Sequence, residues 1–326
     1  MKRNIRSLLT LFLAALFLLA AVTPAFAAES LPKGAVLLTE SDTIKADEYT
    51  VIAQRGLSAC APENSLAAIK LAGRCGCDGC AIDVQPTLDQ RWICFSDLNL
   101  SATTDGAGLV SALPYDKISE YHITRGGNVD AYPNEKVPTL EEAVAVCQLY
   151  GMKVVITIRN GTADQIDSLI LVMKTLGVMN SATVISANHD ILKKIQDNGG
   201  RAVYNASPFV TVSSVETAKN KGYVGVSTST TLPGATLMAR VLDSNLELYP
   251  FDIDSLIAAE YLYNAGVKTA VSRCLVKHAP DPEKVTANAL TWFTRLFNDI
   301  YNFFAKLFRN LSLQVLFSGV KSSFGL

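Results

Sequence analysis

Residues 139–158 read TLEEAVAVCQLYGMKVVITI. Thr139, with Glu142 three positions on, makes a capping box, in which each side chain satisfies the other's free backbone N–H at a helix start. The spacing predicts a helix over Leu140–Tyr150, closed by Gly151, which tolerates the left-handed backbone of a C-cap. Lys153–Ile158 then reads as a strand, because five of its six residues are β-branched and the run is too short for a helix. A helix that hands over to a strand within two residues is half of a parallel βαβ unit.

The alternation extends in both directions. Strands are predicted at Val51–Gln54, Cys80–Val84, Trp92–Phe95, Lys153–Ile158, Thr183–Ser186, Ala202–Tyr204, Val224–Val226, Leu246–Phe251 and Thr269–Ser272, with helical patterns between most of them. Asn64 or Ser65 caps a helix running to about Arg74, and Asn188 or Asp190 starts another near Ile191. Repeated units of this kind imply parallel pairing and right-handed crossovers. Eight of them in roughly 225 residues is the arithmetic of an α/β fold of the (β/α)8 TIM-barrel kind. Nine candidate strands for eight places leave one as a loop or an extra strand. An open doubly wound sheet competes, but the chain lacks its glycine-rich dinucleotide loop. Residues 99–137, rich in Gly, Asn, Asp and Pro with one helix signal at Tyr115–His122, are expected to form a small insertion subdomain on one end of the barrel.

The 326 residues carry 29 Lys+Arg against 30 Asp+Glu, and 49% are hydrophobic against 18% charged. That excludes a disordered chain, and the balanced charge points away from nucleic acid as a partner. Met1–Ala27 has Lys2, Arg3 and Arg6, an apolar run from Leu8 to Val22, and Ala25-Phe26-Ala27 before the cut, the pattern of a secretory signal peptide. Removing it takes away three positive charges, moves the net charge from −1 to −4, and implies a secreted or extracytoplasmic protein. A retained membrane anchor is the alternative, though the run is short for a bilayer core about 30 Å thick. The expected order is a signal peptide at 1–27, a leader at 28–48 and a barrel at 49–276 with its insertion at about 99–137. A linker at 277–284 and a C-terminal amphipathic helix and tail at 285–326 follow.

Six blocks in order carry a family resemblance. They are Ile52-Ala53-Gln54-Arg55-Gly56, Pro62-Glu63-Asn64-Ser65-Leu66-Ala67-Ala68, Gly79-Cys80-Ala81-Ile82-Asp83-Val84, and Phe95-Ser96-Asp97 with Thr103-Thr104-Asp105-Gly106-Ala107-Gly108. Val137-Pro138-Thr139-Leu140-Glu141-Glu142 and Tyr249-Pro250-Phe251-Asp252-Ile253-Asp254 complete the set. Together they resemble the glycerophosphodiester phosphodiesterase family over about residues 50–276. The resemblance implies a (β/α)8 barrel with a small insertion that hydrolyses a phosphodiester with glycerol on one side, a reaction of lipid metabolism. It also implies two histidines acting as acid and base, and carboxylates holding Ca²⁺ or Mg²⁺.

At several of these positions the chain departs from the family pattern. The family's His-Arg-Gly reads Gln54-Arg55-Gly56 here, and its His-Asp reads Ser96-Asp97. Neither a Gln amide nor a Ser hydroxyl without an adjacent base moves a proton near neutral pH. The family's Glu-x-Asp, two residues sharing one face of a strand, reads Ala81 and Asp83, and a further Glu on the next strand is Thr157. Asp83 survives with Glu63 as a neighbour, and a hard cation needs more charged oxygens than these, so no cofactor is expected. Arg55 stands where the family has Arg, and Arg159 where it commonly has Lys. With two carboxylates gone, the mouth is expected to be more positive than in an active relative. Tyr249-Pro250-Phe251-Asp252 replaces an aromatic Trp-Thr pair, and Val271-Ser272-Arg273 replaces Thr-Asp.

The implied ligand-binding set is Arg55, Glu63, Asp83, Asp97 and Arg159, around a phosphate-bearing small molecule or polymer, in a protein without turnover or strongly impaired. Three alternatives stand beside it. The arginines pair with Asp83, Asp97 or Glu63 as structure alone; or the protein is an active metal-dependent enzyme, with His189 or Asp97 moving the proton; or it is a surface-associated interaction protein with the barrel as scaffold. His122, in the insertion, reaches the mouth only if that subdomain folds over it, and His278 belongs to the linker. Cys75-Gly76-Cys77-Asp78-Gly79-Cys80 has a metal-knuckle look without a second cluster, so small buried thiols are expected, with zinc as the alternative. Seven cysteines leave at least one thiol free or paired between chains. Finally, Phe293, Leu296, Phe297, Ile300, Phe303, Phe304, Leu307 and Phe308 repeat at three and four. This amphipathic stripe within about 288–310 suits either a membrane surface or the protein's own flank.

Overall fold

Alternating strands and helices close into a barrel. The computed structural model describes residues 30–229 and 232–281, so the signal segment and the aromatic C-terminal stripe lie outside the described residues. The strands are β1 (Val36–Leu37), β2 (Thr50–Gln54), β3 (Gly79–Pro86), β4 (Trp92–Cys94), β5 (Lys153–Ile158), β6 (Thr183–Ser186), β7 (Arg201–Asn205), β8 (Gly225–Thr228), β9 (Glu247–Pro250), β10 (Thr269–Ser272) and β11 (Leu275–Val276). Eight of them run parallel in the order β10-β2-β3-β5-β6-β7-β8-β9. Across the remaining seam the Ile253 N–H donates to the Val271 carbonyl at 3.2 Å. The result is a nearly closed TIM barrel rather than an open sheet.

The ninth predicted strand is the extra one. β4 folds back antiparallel on the carboxyl half of β3, pairing Cys94 with Val84 and Trp92 with Pro86. A tight turn makes this hairpin: the Thr87 N–H reaches the Arg91 carbonyl at 2.9 Å and Gln90 takes a left-handed φ of 63°. β1 and β11, absent from the prediction, form a two-residue parallel pair, too short to leave a periodic signal.

The helices are α1 (Leu66–Arg74), α2 (Tyr115–Ile118), α3 (Leu140–Leu149), α4 (Ile166–Thr175), α5 (His189–Asp197), α6 (Val212–Asn220), α7 (Ala235–Asp243) and α8 (Leu256–Asn264). Ser65 rather than Asn64 caps α1, accepting from the Ala68 N–H at 3.0 Å. Asn188 caps α5, and the Thr139–Glu142 capping box on α3 is formed in both directions. Gly151 beyond α3 has φ 67°. One apolar core fills the space between barrel and helices, and a second, Ile52, Ala81, Val155, Ile185, Val203, Tyr249 and Val271, fills the barrel interior.

The insertion has its own small core around Leu100, Val110, Ile118 and Ile123, packed on Ile93 and Phe95. Its helix stops at Ile118 instead of His122. The His122 N–H is drawn to the Asp105 carboxylate at 2.7 Å, and His122 pairs with Lys136 in a bridge, both incompatible with another helical turn. Residues 277–281 are held along the end of α1 by the Lys277 and Asp281 N–H groups, bonded to the carbonyls of Cys75 and Arg74. Among the described residues no helix is long and apolar enough to cross a membrane.

Candidate functional site

The strand period of two places the site. Ile52 and Gln54 on β2, Ala81 and Asp83 on β3, and Val155 and Thr157 on β5 all face the barrel axis, with Gln54 beside Ala81 and Asp83 beside Thr157 in register. The first residue of each pair fills the apolar interior. The last stands at the carboxyl end of its strand, the face on which such barrels carry their chemistry.

Asp83 is the hub. Its Oδ2 accepts from Arg55 Nε at 2.8 Å and from Ser96 Oγ at 2.9 Å, with Arg159 Nε at 3.7 Å. Asn64 supports both partners: its Nδ2 donates to Ser96 Oγ at 2.9 Å, and its Oδ1 accepts from the Asp83 N–H at 3.2 Å. Arg55 Nη1 reaches Glu63 Oε1 at 3.0 Å. Burial works to lower the Arg55 pKa, but the facing carboxylates of Asp83 and Glu63, with Asp97 adding attraction, raise it above its ordinary value. The buried Gln85 ties the segment after β4 to β3, its Nε2 donating to the carbonyls of Asp97 (2.6 Å) and Phe95 (3.2 Å). That tie holds Ser96 against Asp83.

A second lock faces the first. Gln54 Nε2 donates to Asp252 Oδ1 at 3.1 Å, and Gln54 Oε1 accepts from the Asp252 N–H at 3.2 Å. Arg55, Asn64 and Asp252 have left-handed φ of 56°, 54° and 61°, a backbone state that costs non-glycine residues of order 1 kcal/mol or more. Gly56, next along, cannot be replaced without strain: its φ is 73° and a Cβ there would lie 2.5 Å from the Ala68 backbone.

Between these locks lies a cavity of about 370 Å³. One wall carries Arg55, Arg159 and Asp83; the opposite wall carries Asn205, Ser207, Ser227 and Ser229; Ile185 and Phe251 supply apolar surface, and Gln54, Thr157 and Asp252 complete it. The charged lining groups are two of each sign, so the asymmetry is one of pairing. Arg55 is clasped by two carboxylates, whereas Arg159, with a side chain 42% exposed, makes one long contact.

Of the residues singled out in the sequence, Arg55, Asp83, Arg159, Gln54 and Thr157 line the cavity. Ser96 sits one step back against Asp83, Glu63 holds Arg55, and Asp97 acts on Arg55 through charge. The histidines are elsewhere. His189 stacks on Tyr204 and Tyr223 with Nδ1 2.9 Å from the Tyr223 hydroxyl, His122 pairs with Asp105, and His278 bonds the Ala279 carbonyl. All seven cysteines are buried and outside any disulfide, and among the described residues no group of three or more His, Cys, Asp and Glu could hold a metal ion. The cation implied by the resemblance does not fit the residues present. Ala81 offers no oxygen, Thr157 a buried hydroxyl without a partner, and one oxygen each of Asp83 and Glu63 is engaged by Arg55.

Sequence reasoning missed the roles of Asn64, Gln85 and Asp252 and the whole Asn205–Ser229 wall. The period-two pattern could have found that wall, since Asn205 ends β7 and Ser227 stands one residue before the end of β8, two positions after Val203 and Gly225.

Fold and site together define a (β/α)8 barrel with a polar cavity, flanked by arginines, at the carboxyl ends of its strands. Residues 55–269 match the Glycerophosphoryl diester phosphodiesterase family, and the chain belongs to that family. It is 31% identical over 159 residues to glycerophosphodiester phosphodiesterase 1 of Bos taurus, covering 48% of each chain. It is 41% identical over 83 residues to a probable glycerophosphodiester phosphodiesterase 1 of Mycobacterium tuberculosis, covering 26% of this chain and 30% of the relative. The chain thus spans about half the length, or less, of these curated relatives. Among solved structures, an Oleispira antarctica phosphodiesterase in complex with the product sn-glycerol-3-phosphate superposes with a TM-score of 0.64 at 26% identity, over 73% of this chain and 96% of that one. A glycerophosphodiester phosphodiesterase from Thermotoga maritima shares the fold, with a TM-score of 0.57 at 14% identity over 69% of this chain and 94% of that one.

Proposed function

We propose that this chain is an exported member of the family in which phosphodiester hydrolysis is lost or strongly impaired, and whose mouth is kept as a pocket for a phosphate-bearing ligand. One observation carries this. Both positions at which the resemblance expects a proton-transferring histidine hold groups that do not titrate near neutral pH, and both are committed to hydrogen bonds: Gln54 to Asp252, and Ser96 to Asp83 and Asn64. General acid–base help is worth roughly 10²–10⁴-fold per group, and such losses do not simply multiply. The poor fit for a divalent cation removes a second source of rate.

What supports a retained pocket is the frame. Three left-handed residues cluster at the mouth, and strain of that kind persists where the surrounding structure over-determines it, most often at functional sites. Arg159, with one weak contact, is the cation available to an incoming phosphate. His189 and Asp97, the candidates for a substitute base, stand outside the cavity walls, which weighs against an active enzyme. Export rests on the signal-peptide pattern of Met1–Ala27, and a membrane-surface partner on the stripe within residues 288–310.

The test is restoration. Gln54→His, Ser96→His, Ala81→Glu and Thr157→Glu together are expected to bring Ca²⁺- or Mg²⁺-dependent hydrolysis of glycerophosphocholine above the level of the unaltered chain. Equal, measurable rates in both chains would contradict the proposal. For the membrane partner, liposome flotation with and without residues 285–326 decides, and equal recovery discards binding through that segment.

A further inference from the structure

We propose that the opposite mouth of the barrel, at the amino-terminal ends of its strands, is a second binding site, for a small organic monocarboxylate. Its carboxylate would sit on Lys153 and Thr50, and its apolar body on Ile52, Val155 and the Tyr249 ring. The inference goes beyond the proposed function and does not rest on it. On the eight parallel strands the period of two turns the first residue toward the axis, two positions before the next inward one. Six of these first residues, Thr50, Lys153, Thr183, Arg201, Glu247 and Thr269, line a cavity of about 570 Å³. The other two, Gly79 and Gly225, have no side chain to fill it. A Cβ on Gly79 would meet Lys153 and Ile52, and one on Gly225 would meet Glu247, all of them lining residues. Barrels of this kind ordinarily fill their interior with layers of side chains, and here the lowest layer is hollow.

The polar lining divides in two. On one side, four side chains bond to one another. Arg201 Nη2 donates to Glu247 Oε1 at 2.5 Å and the Tyr249 hydroxyl donates to Glu247 Oε2 at 2.6 Å. Thr183 Oγ1 closes the ring, 3.4 Å from the Tyr249 hydroxyl and 3.5 Å from Arg201 Nε. Tyr249 and Thr183 are 7% and 5% exposed, so this ring is built into the cavity floor. Burial, with the Glu247 contact adding to it, pushes the Tyr249 hydroxyl up to about 12, and it stays neutral. On the other side, the Lys153 ammonium and the hydroxyls of Thr50 and Thr269 have no hydrogen-bond partner among the described residues. Thr50 and Thr269 pair in register, and Lys153 pairs with Gly79 on the strand next to β2.

Lys153 and Arg201 against Glu247 leave one positive charge in the lining. One negative charge balances it, whereas a dianion such as phosphate would carry a surplus toward Glu247. A carboxylate accepts from an ammonium and a hydroxyl at once. The buried Ile52, Val155 and Tyr249 make the deep end apolar, which suits a hydrocarbon body and not a bare ion. The volume is that of a small-molecule site.

The probe is benzoate, with neutral benzamide and inorganic phosphate beside it, titrated into the mature chain with labelled Ile and Val methyl groups. Benzoate is expected to shift the NMR signals of Ile52 and Val155 and to leave Ile185, which lines the other mouth, in place. It is expected to bind about tenfold tighter than benzamide, the scale of one hydrogen bond to a charged group. Phosphate at the same concentration is expected to leave the Ile52 and Val155 signals unmoved. Lys153→Met is expected to bring benzoate down to the benzamide affinity, and an unchanged methyl spectrum of the free variant excludes misfolding. Signals that move at Ile185 alone, or nowhere, overturn the site. Phosphate acting as benzoate does, or a benzoate preference intact in Lys153→Met, overturns a monocarboxylate held by Lys153. These readouts are independent of hydrolysis at the other mouth.

Discussion

At the scale of single residues, Asp83 decides most. A carboxylate whose side chain is 6% exposed is tolerated because Arg55, Ser96 and the Asn64 frame meet it, the two side-chain bonds falling on a single oxygen. Removing one member of a fully buried ion pair costs about 3–5 kcal/mol. Arg55 is about a quarter exposed and keeps Glu63, so the loss here is smaller. Asp83→Asn is expected to lower the unfolding free energy by about 2–3 kcal/mol in a urea titration, and a change below about 0.5 kcal/mol would mean that the hub bears no structural load. Identity at such positions was legible in the sequence. Gln54, Ser96, Ala81 and Thr157 announce their chemistry by residue type alone. Their partners were not: Asn64 and Asp252 act from left-handed backbone states, and Gln85 acts from within β3 on the carbonyls of Phe95 and Asp97, none of which a side-chain pattern encodes.

At the scale of elements, legibility followed periodicity. Lys153–Ile158, Thr183–Ser186 and Thr269–Ser272 were read residue for residue, because central parallel strands are continuous apolar or β-branched runs. The capping box of α3 was equally plain, and it is testable. Thr139→Ala removes the acceptor for the Glu142 N–H and the hydroxyl bond to its carboxylate, while the bond from the residue's own backbone N–H to that carboxylate stays. A loss of about 1 kcal/mol is expected, seen as a lower urea midpoint with an unchanged slope; no change would mean that solvent replaces the cap. The insertion was legible only as an interruption. Its short turns are set by side-chain-to-backbone bonds such as Asp105 to His122, and its helix ends where those bonds win. The β1–β11 pair escaped notice because two residues a side carry no period.

At the scale of the whole molecule, the barrel is a thiol-bearing but unreactive body. Burial pushes the Cys60 thiol up to about 12 and that of Cys274 up to about 11, so the native thiols stay protonated where unfolded ones ionise. Above about pH 9 the unfolded chain therefore binds fewer protons than the native one, and stability falls as pH rises through 11–12. The urea midpoint is expected to fall from pH 8 to pH 11. At pH 8 a thiol reagent should titrate seven cysteines in denaturant and react slowly, if at all, with the native chain; fast native labelling would contradict the buried placement. The proposed loss of catalysis belongs to the whole chain too. The most direct measurement is hydrolysis of glycerophosphocholine by the purified mature chain with Ca²⁺ or Mg²⁺. No release above buffer is expected; metal-dependent turnover that Asp83→Ala abolishes would contradict the loss of catalysis outright.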